Sequence, residues 1–375
     1  MKIIADDKIP FLKGALEPVA DVTYLPGSEI GHDDIKDADA MIIRTRTRCN
    51  ARLLEGSQVK FIATATIGYD HIDTHWCEGN GIHWQNAPGC NSKSVEQYIL
   101  SALLTLAVKN SFDLAGKTIG IVGVGHVGSK IEKVCNLLEM NVLLNDPPRG
   151  RAEGGNAFVS LEKIREEADI ITFHVPLNIS GEDSTYRFIN NLFFSSLKKN
   201  PVLINSSRGE VVDGMALKQA IGAGTIGPVI LDVWENEPLI DLELLWRVQI
   251  ATPHIAGYSL DGKANGTRMS VHGISDFFNL GLDDWEPAGI PVPEKTEIDI
   301  DVRGKSLQQI LYEAVTFSYN ILDDDRKLRD SVNTFERQRG TYPVRREYGS
   351  FGVRLKNGRK EAETVLHELG FNILK

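Results

Sequence analysis

The stretch "TIGIVGVGHVG", Thr118 to Gly128, admits few folds. Its β-branched run, Thr118 to Val122, reads as a strand, and Gly123, Gly125 and Gly128 follow in GxGxxG spacing. From Ser129 to Met140 the apolar residues Ile131, Val134, Cys135 and Leu138 recur at helical spacing. Spacing alone proves little in a chain with 34 glycines among 375 residues, and Gly222, Gly224 and Gly227 repeat it. The order of elements separates the two triplets. The second follows a helical pattern, Ala216 to Ile221, and precedes an apolar strand, Val229 to Val233, so it predicts a helix cap and a turn. The first runs strand, glycine turn, helix, which lets backbone approach a pyrophosphate beside a helix N-terminus. Asp146, 18 residues beyond Gly128, ends the next strand pattern, "NVLLND". Its carboxylate is placed to accept from ribose hydroxyls and to repel a 2′-phosphate, which predicts NAD rather than NADP, a preference that Arg149 nearby weakens.

Around this motif the chain alternates strand and helix patterns. "MKIIAD", "DVTYLPG", "ADAMIIRT" and "VKFIATATIG" read as strands, with "FLKGALEPVA" as a helix between the first two. A long helix is predicted over Ser92 to Val108, and further strands at "DIITFHVP", "PVLINSS", "PVILDVW" and "QIATPHIAG". Such alternation predicts an α/β fold with two doubly wound, Rossmann-like parallel sheets. The helical stretch Gly262 to Phe278 returns the chain to the first domain, and the Pro-rich "EPAGIPVPEKTEID" reads as a linker. The domains expected are 1–91 with 259–285 for substrate, 92–258 for NAD, and a small C-terminal α/β domain over 286–375. The apolar face of Leu307 to Leu322 in that tail predicts homodimerisation, because it needs a partner surface.

A formal charge of −10 argues against nucleic acid or an anionic membrane as the partner. No apolar run approaches the roughly 20 residues of a membrane span. Cys49, Cys77, Cys90 and Cys135 show neither CxxC spacing nor a disulfide framework, and the histidines show no metal pattern. The expectation is a cytoplasmic protein with reduced thiols and no metal.

In a doubly wound sheet, ligands bind at the loops after the strands' carboxyl ends. Three polar residues fall there: Arg208 in "SSRGEVVD", Glu237 in "DVWENEP" and His254 in "PHIAGYS". Together they suit hydride chemistry on a 2-hydroxy acid. An imidazole takes the hydroxyl proton, a carboxylate orients the ring, and a guanidinium holds the substrate carboxylate. His174 in "TFHVPL" has no evident acidic partner and reads as packing. In "RTRTR", Arg44, Arg46 and Arg48 would share one face if the strand continued that far. Some of these, or Arg345 and Arg346 in the tail, are candidates to meet a phosphate.

The blocks "GIVGVGHVG", "DPP", "SSRGEVVD", "LDVWENEP" and "TPHIAG" resemble the signatures of the D-isomer-specific 2-hydroxyacid dehydrogenases. "ATATIGYDHID", "NAPGCNSKSVEQY", "PHIAGYSLDGKANGT" and the tail's "YPVRREYGSF" narrow the resemblance to one branch. That branch oxidises a small phosphorylated hydroxy acid on the bacterial route to pyridoxal phosphate. The resemblance implies Arg208, Glu237 and His254 as the catalytic set, with His254 moving the proton. It implies NAD contacts around Gly123, Gly125, His126, Val127, Gly128, Asp146, Val175, Ser206, Ser207, Asp232 and Gly257. Substrate contacts are implied at Thr45, Thr66 and Tyr258. Thr45 stands where serine is expected and keeps the hydroxyl; Val175 stands where threonine is familiar and leaves only a backbone contact. Two other readings use the same residues: a dehydrogenase of another phosphorylated hydroxy acid, such as 3-phosphoglycerate, and a non-catalytic NAD-sensing protein.

Overall fold

The computed structural model describes residues 1–155 and 157–375. The chain forms two compact units, Met1–Ser92 with Tyr258–Val292, and Lys93–Gly257 with Pro293–Lys375. The first holds a parallel sheet of β1 (Lys2–Asp6), β2 (Asp21–Leu25), β3 (Ala40–Ile43), β4 (Phe61–Thr64) and β5 (His83–Gln85), in the order β2-β1-β3-β4-β5. β1, β3 and β4 read as unbroken apolar runs because both faces are covered. Ile4, Met41 and Ile62 pack with Ile35 and Leu54 on one side, and Ile3, Ile42 and Phe61 with Leu12 and Leu16 on the other. The helix Leu260–Phe278 adds Val271 and Ile274 to that second cluster, so the chain does return to its first unit.

Two local expectations fail here. Residues 11–20 form turns instead of a helix. Phe11 and Gly14 take positive φ (63° and 89°), and the Glu17 carboxylate accepts from the N–H groups of Gly14 (2.9 Å) and Leu16 (3.2 Å), competing with helical bonding. The "RTRTR" strand also fails to continue. β3 stops at Ile43, just past its last pairing with β1 (Ala5 with Ile42), and a turn follows. Thr47 is buried there, donating to the Gly27 carbonyl (2.8 Å), and Arg44 donates to Asp6 through Nε and Nη2 (3.2 Å each). The three arginines therefore do not line one strand face.

In the second unit β6 (Thr118–Val122), β7 (Asn141–Asn145), β8 (Ile170–Phe173), β9 (Val202–Asn205), β10 (Val229–Leu231) and β11 (Ile250–Ala251) form a parallel sheet ordered β11-β10-β9-β8-β6-β7. Strand order reverses between β6 and β8, the position at which such sheets open a ligand crevice. Gly224 caps the helix Gly214–Ala223 at φ 68°, so the second glycine triplet is a cap and turn.

The tail does not stand apart from this unit. It builds a sheet of β12 (Glu297–Asp301), β13 (Gly352–Lys356) and β14 (Asn372–Ile373), and its helices dock on the nucleotide-type sheet. Asp325 accepts from the Ala251 N–H of edge strand β11 (2.7 Å), and Arg329 donates to the carbonyls of Leu245 (2.8 Å) and Val248 (3.0 Å). Leu328 and Phe335 join the apolar core of Phe173 and Leu231. The expected helix over 307–322 is two, Leu307–Ser318 and Ile321–Asp330, because Tyr319 is extended and Asn320 caps the second. Ile310, Leu311, Ala314 and Val315 are already buried within the chain. That part of the expected face is covered by its own chain, while Leu307, Tyr312, Phe317 and Leu322 stay half-buried.

A chain ending at residue 292 would uncover the β11 edge and remove Leu328 and Phe335 from the core. It should be insoluble or lose cooperative melting of the second unit; a soluble fragment with an unchanged Tm in calorimetry would contradict this docking.

Candidate active site

At the switch point, the ends of β6 and β8 press together. A Cβ on Gly123, whose φ is 89°, would lie 2.6 Å from the His174 carbonyl oxygen, and one on Gly128 would lie 2.1 Å from that of Gly123. Gly125 differs, since a Cβ there meets nothing within 4 Å. Two glycines therefore let backbones pack, and the third keeps open the space a pyrophosphate needs. His126 is exposed and Val127 half-buried beside it, and the ten-residue helix Gly128–Leu137 begins there. Asp146 accepts from the N–H groups of Val124 (2.8 Å) and Arg149 (3.1 Å), tying the tip of β7 to the glycine turn. The Arg149 guanidinium pairs with Glu153, donates to the Val124 carbonyl and lies over the Phe158 ring (5.1 Å). In the loop after β9 the buried Ser206 hydroxyl has no hydrogen-bond partner among the described residues, which suits a contact to a bound group. These residues fit a dinucleotide.

The catalytic candidates sit on the next three strand-end loops. Asn205 accepts from Ser207 through both N–H (3.1 Å) and hydroxyl (2.8 Å) and donates to the Arg208 carbonyl (2.9 Å), so it shapes the loop that carries Arg208. Gly209 lies flat against the neighbouring loop, where a Cβ would come within 2.0 Å of the Trp234 backbone. Glu237, in that loop, accepts from the Trp234 N–H (2.9 Å) and meets His254 Nδ1 at 2.7 Å. Burial raises the Glu237 carboxyl, but the His254 hydrogen bond and charge, the Trp234 N–H and the Arg339 charge outweigh it and hold it below the ordinary range. An ionised carboxylate only accepts, so Nδ1 carries the proton and Nε2 is left to face a substrate hydroxyl.

His254 takes a left-handed conformation, φ 57°, which costs a residue with a Cβ about 1–2 kcal/mol. Its N–H donates to the Asp232 carbonyl (2.7 Å), and the buried Asp232 carboxylate accepts from Thr252 Oγ1 (2.6 Å), Ile255 N–H (2.8 Å) and Ala256 N–H (2.9 Å). Both carboxylate oxygens thus hold the His254 loop. His174 bonds Thr172 Oγ1 through Nε2 (3.0 Å), and burial pushes its imidazole down to about 3, which keeps it neutral. Val175 and Gly257 are half-buried at the ends of these loops.

Thr45, Thr66 and Tyr258 belong to the first unit. Thr45 is exposed in the turn after β3. Thr66 donates to the Gly68 carbonyl (2.9 Å) and so accepts from Thr64 (2.7 Å), which in turn accepts from His71 Nε2 (3.1 Å). Burial pushes His71 down to about 4, so this chain of donors runs one way. The Tyr258 ring lies 4.6 Å from Lys263 Nζ. Arg345 is not available to a phosphate: it is 4% exposed and donates to Gln97, Ser94, Ile255 and Ala256. Sequence reasoning missed Asn205 and the bonds of Arg345, since nothing local marks a buried polar residue's partner. Among the described residues no group of three His, Cys, Asp or Glu could hold a metal, and no helix is long and apolar enough to cross a membrane.

Residues 102–256 match the NAD-binding domain of the D-isomer specific 2-hydroxyacid dehydrogenases, and residues 290–370 match a domain of unknown function. The erythronate-4-phosphate dehydrogenase of Bacteroides thetaiotaomicron is 52% identical, covering 94% of this chain and 99% of the relative. That of Proteus mirabilis is 41% identical over 99% of both. The chain belongs to the D-isomer specific 2-hydroxyacid dehydrogenase family, among its erythronate-4-phosphate dehydrogenases. It is an NAD-dependent dehydrogenase. A D-lactate dehydrogenase from Aquifex aeolicus, solved with NAD and lactic acid, is 25% identical with a TM-score of 0.62, covering 76% of this chain and 97% of that one. The NAD-bound 3-phosphoglycerate dehydrogenase of Entamoeba histolytica shares the fold, with a TM-score of 0.63 at 24% identity over 77% of this chain and 99% of its own.

Gly125→Ala should keep the melting temperature and weaken NADH binding about tenfold, whereas Gly123→Ala should lower the melting temperature by several degrees, of the order of 1–3 kcal/mol. Fluorescence titration and calorimetry on both variants separate the two roles. For Glu237 the depressed folded-state pKa fixes the sign: its bonds stabilise the fold above 4.5, the unperturbed value, and that contribution fades as pH falls through the lowered pKa. The stability gap between the native chain and Glu237→Gln should be full near neutrality and vanish in acid. A gap independent of pH in urea titrations would exclude an ionised Glu237 hydrogen-bonded to His254.

Proposed function

We propose that this dehydrogenase oxidises 4-phospho-D-erythronate to (R)-3-hydroxy-2-oxo-4-phosphooxybutanoate in pyridoxal 5′-phosphate biosynthesis, with His254 as the acid/base. The single observation that carries the reading is the 2.7 Å bond from His254 Nδ1 to an ionised Glu237, on strand-end loops of the sheet whose first strand leads into the open glycine turn. The names of relatives at 52% and 41% identity supply the substrate.

NAD, when bound, supplies the hydride acceptor. His254 Nε2 takes the proton of the 2-hydroxyl, and Glu237 keeps the ring in the tautomer that allows this and stabilises the imidazolium that results. Arg208 holds the substrate carboxylate with its planar fork and polarises the oxygen that becomes a ketone. Gly123, Gly125, His126, Val127, Gly128, Asp146, Val175, Ser206, Ser207, Asp232 and Gly257 surround the dinucleotide, and Asp232 also holds the His254 loop. Thr45, Thr66 and Tyr258 offer hydroxyls to the substrate. The reading includes a cytoplasmic homodimer; it rests on the resemblance, because Ile310, Leu311, Ala314 and Val315 are buried within the chain.

The test is a nicotinamide absorbance assay with erythronate 4-phosphate, and with 3-phosphoglycerate for comparison. His254→Ala should lower kcat by roughly 10²–10⁴, the range general acid–base catalysis supplies, with NADH binding unchanged. Arg208→Ala should lower kcat and raise the KM for substrate. Equal turnover of the two substrates, or full activity in His254→Ala, would remove the assignment.

A further inference from the structure

The tail matches a domain of unknown function, and the solved Aquifex aeolicus relative covers only 76% of this chain while spanning 97% of its own. The tail's contacts show what it does in the second unit. Arg345, 4% exposed, aims its guanidinium at the loop that carries His254. Nη1 donates to the carbonyls of Ile255 and Ala256, each at 3.3 Å, Nη2 donates to the Ser94 carbonyl (2.6 Å), and Nε donates to Gln97 Oε1 (2.9 Å). Ser94 Oγ donates to the same Ala256 carbonyl (2.8 Å). The Tyr319 ring lies 3.6 Å from the guanidinium carbon, and Gln97 returns a bond to the Arg346 carbonyl (3.1 Å).

One peptide group lies between two charges. The peptide joining Ile255 to Ala256 gives its N–H to Asp232 Oδ2 and its carbonyl to Arg345 Nη1. Its dipole is held at the negative pole by a cation and at the positive pole by an anion, one residue beyond His254. Asp232 alone leaves that peptide held at one end, beside a residue in a conformation its Cβ disfavours. A planar fork reaches adjacent carbonyls, the Ser94 carbonyl and Gln97 at once, which a lysine's single ammonium cannot do.

We propose that Arg345 is a positioning residue for the proton transfer: it fixes the His254 loop from the side opposite Asp232, so the tail is part of the catalytic apparatus. This rests on His254 being the acid/base.

The test uses the full chain with Arg345→Met and Arg345→Lys, and His254→Ala and Gln308→Ala alongside. Gln308→Ala removes the tail's bonds to Phe112 (3.0 Å) and Leu114 (2.8 Å) without touching Arg345 or the His254 loop. A displaced catalytic group costs up to about 100-fold, so kcat should fall roughly 10- to 100-fold in Arg345→Met and less in Arg345→Lys. NADH binding should stay within twofold, and Gln308→Ala should keep its kcat. Amide hydrogen exchange should accelerate at Ile255 and Ala256 while β9 and β10 stay protected. Should Arg345→Met fail to fold, Arg345→Lys carries the same two readouts. Unchanged kcat and unchanged protection in a folded Arg345 variant would overturn the proposal, as would exchange that rises across the whole unit in step with lost activity. An active His254→Ala would instead overturn the reading beneath it.

Discussion

Asp232 ends a parallel strand with a carboxylate that is 1% exposed, and a charge so placed must find donors or be neutralised. It finds three, the Thr252 hydroxyl and the N–H groups of Ile255 and Ala256, while its carbonyl takes the N–H of His254. Those bonds make a left-handed histidine tenable. From that conformation the ring reaches Glu237, and the proton is assigned to one of its two nitrogens. Without Asp232 the N–H groups of Ile255 and Ala256 would lose the anion that holds them, and the left-handed turn that brings the imidazole to Glu237 would lose its anchor.

The same logic of satisfied backbone runs through the neighbouring loops. Asn205 spends its amide on Ser207 and Arg208, so the arginine leaves its strand in a set direction. Gly209 removes the side chain that would separate this loop from Trp234. At the switch point Gly123 does the same for β6 and β8, and Gly125 keeps room open. Buried polar side chains and missing Cβ atoms place the loops; the apolar core beneath them only supplies a rigid floor.

The tail extends this arrangement. It covers the β11 edge through Asp325, contributes Leu328 and Phe335 to the core, and brings Arg345 to the carbonyls of the His254 loop. Part of its helix faces is buried in doing so. An amphipathic pattern in sequence states that a face must be covered; whether the cover is another molecule or the same chain depends on docking, which no periodicity encodes.

What the sequence determined by itself was the order of strands and helices, the separation of the two glycine triplets, and the strand-end loops holding Arg208, Glu237 and His254. Each of these is a local pattern, and the doubly wound topology converts local order into position at one sheet edge. Tertiary structure alone decided that residues 11–20 are turns, that "RTRTR" leaves its strand, and that Asp232 and Arg345 grip one peptide from opposite ends. Those outcomes depend on which N–H and carbonyl groups remain unpaired once the sheets have packed. The partners that satisfy them are 24 and 90 residues distant along the chain, beyond the reach of any helical or strand period.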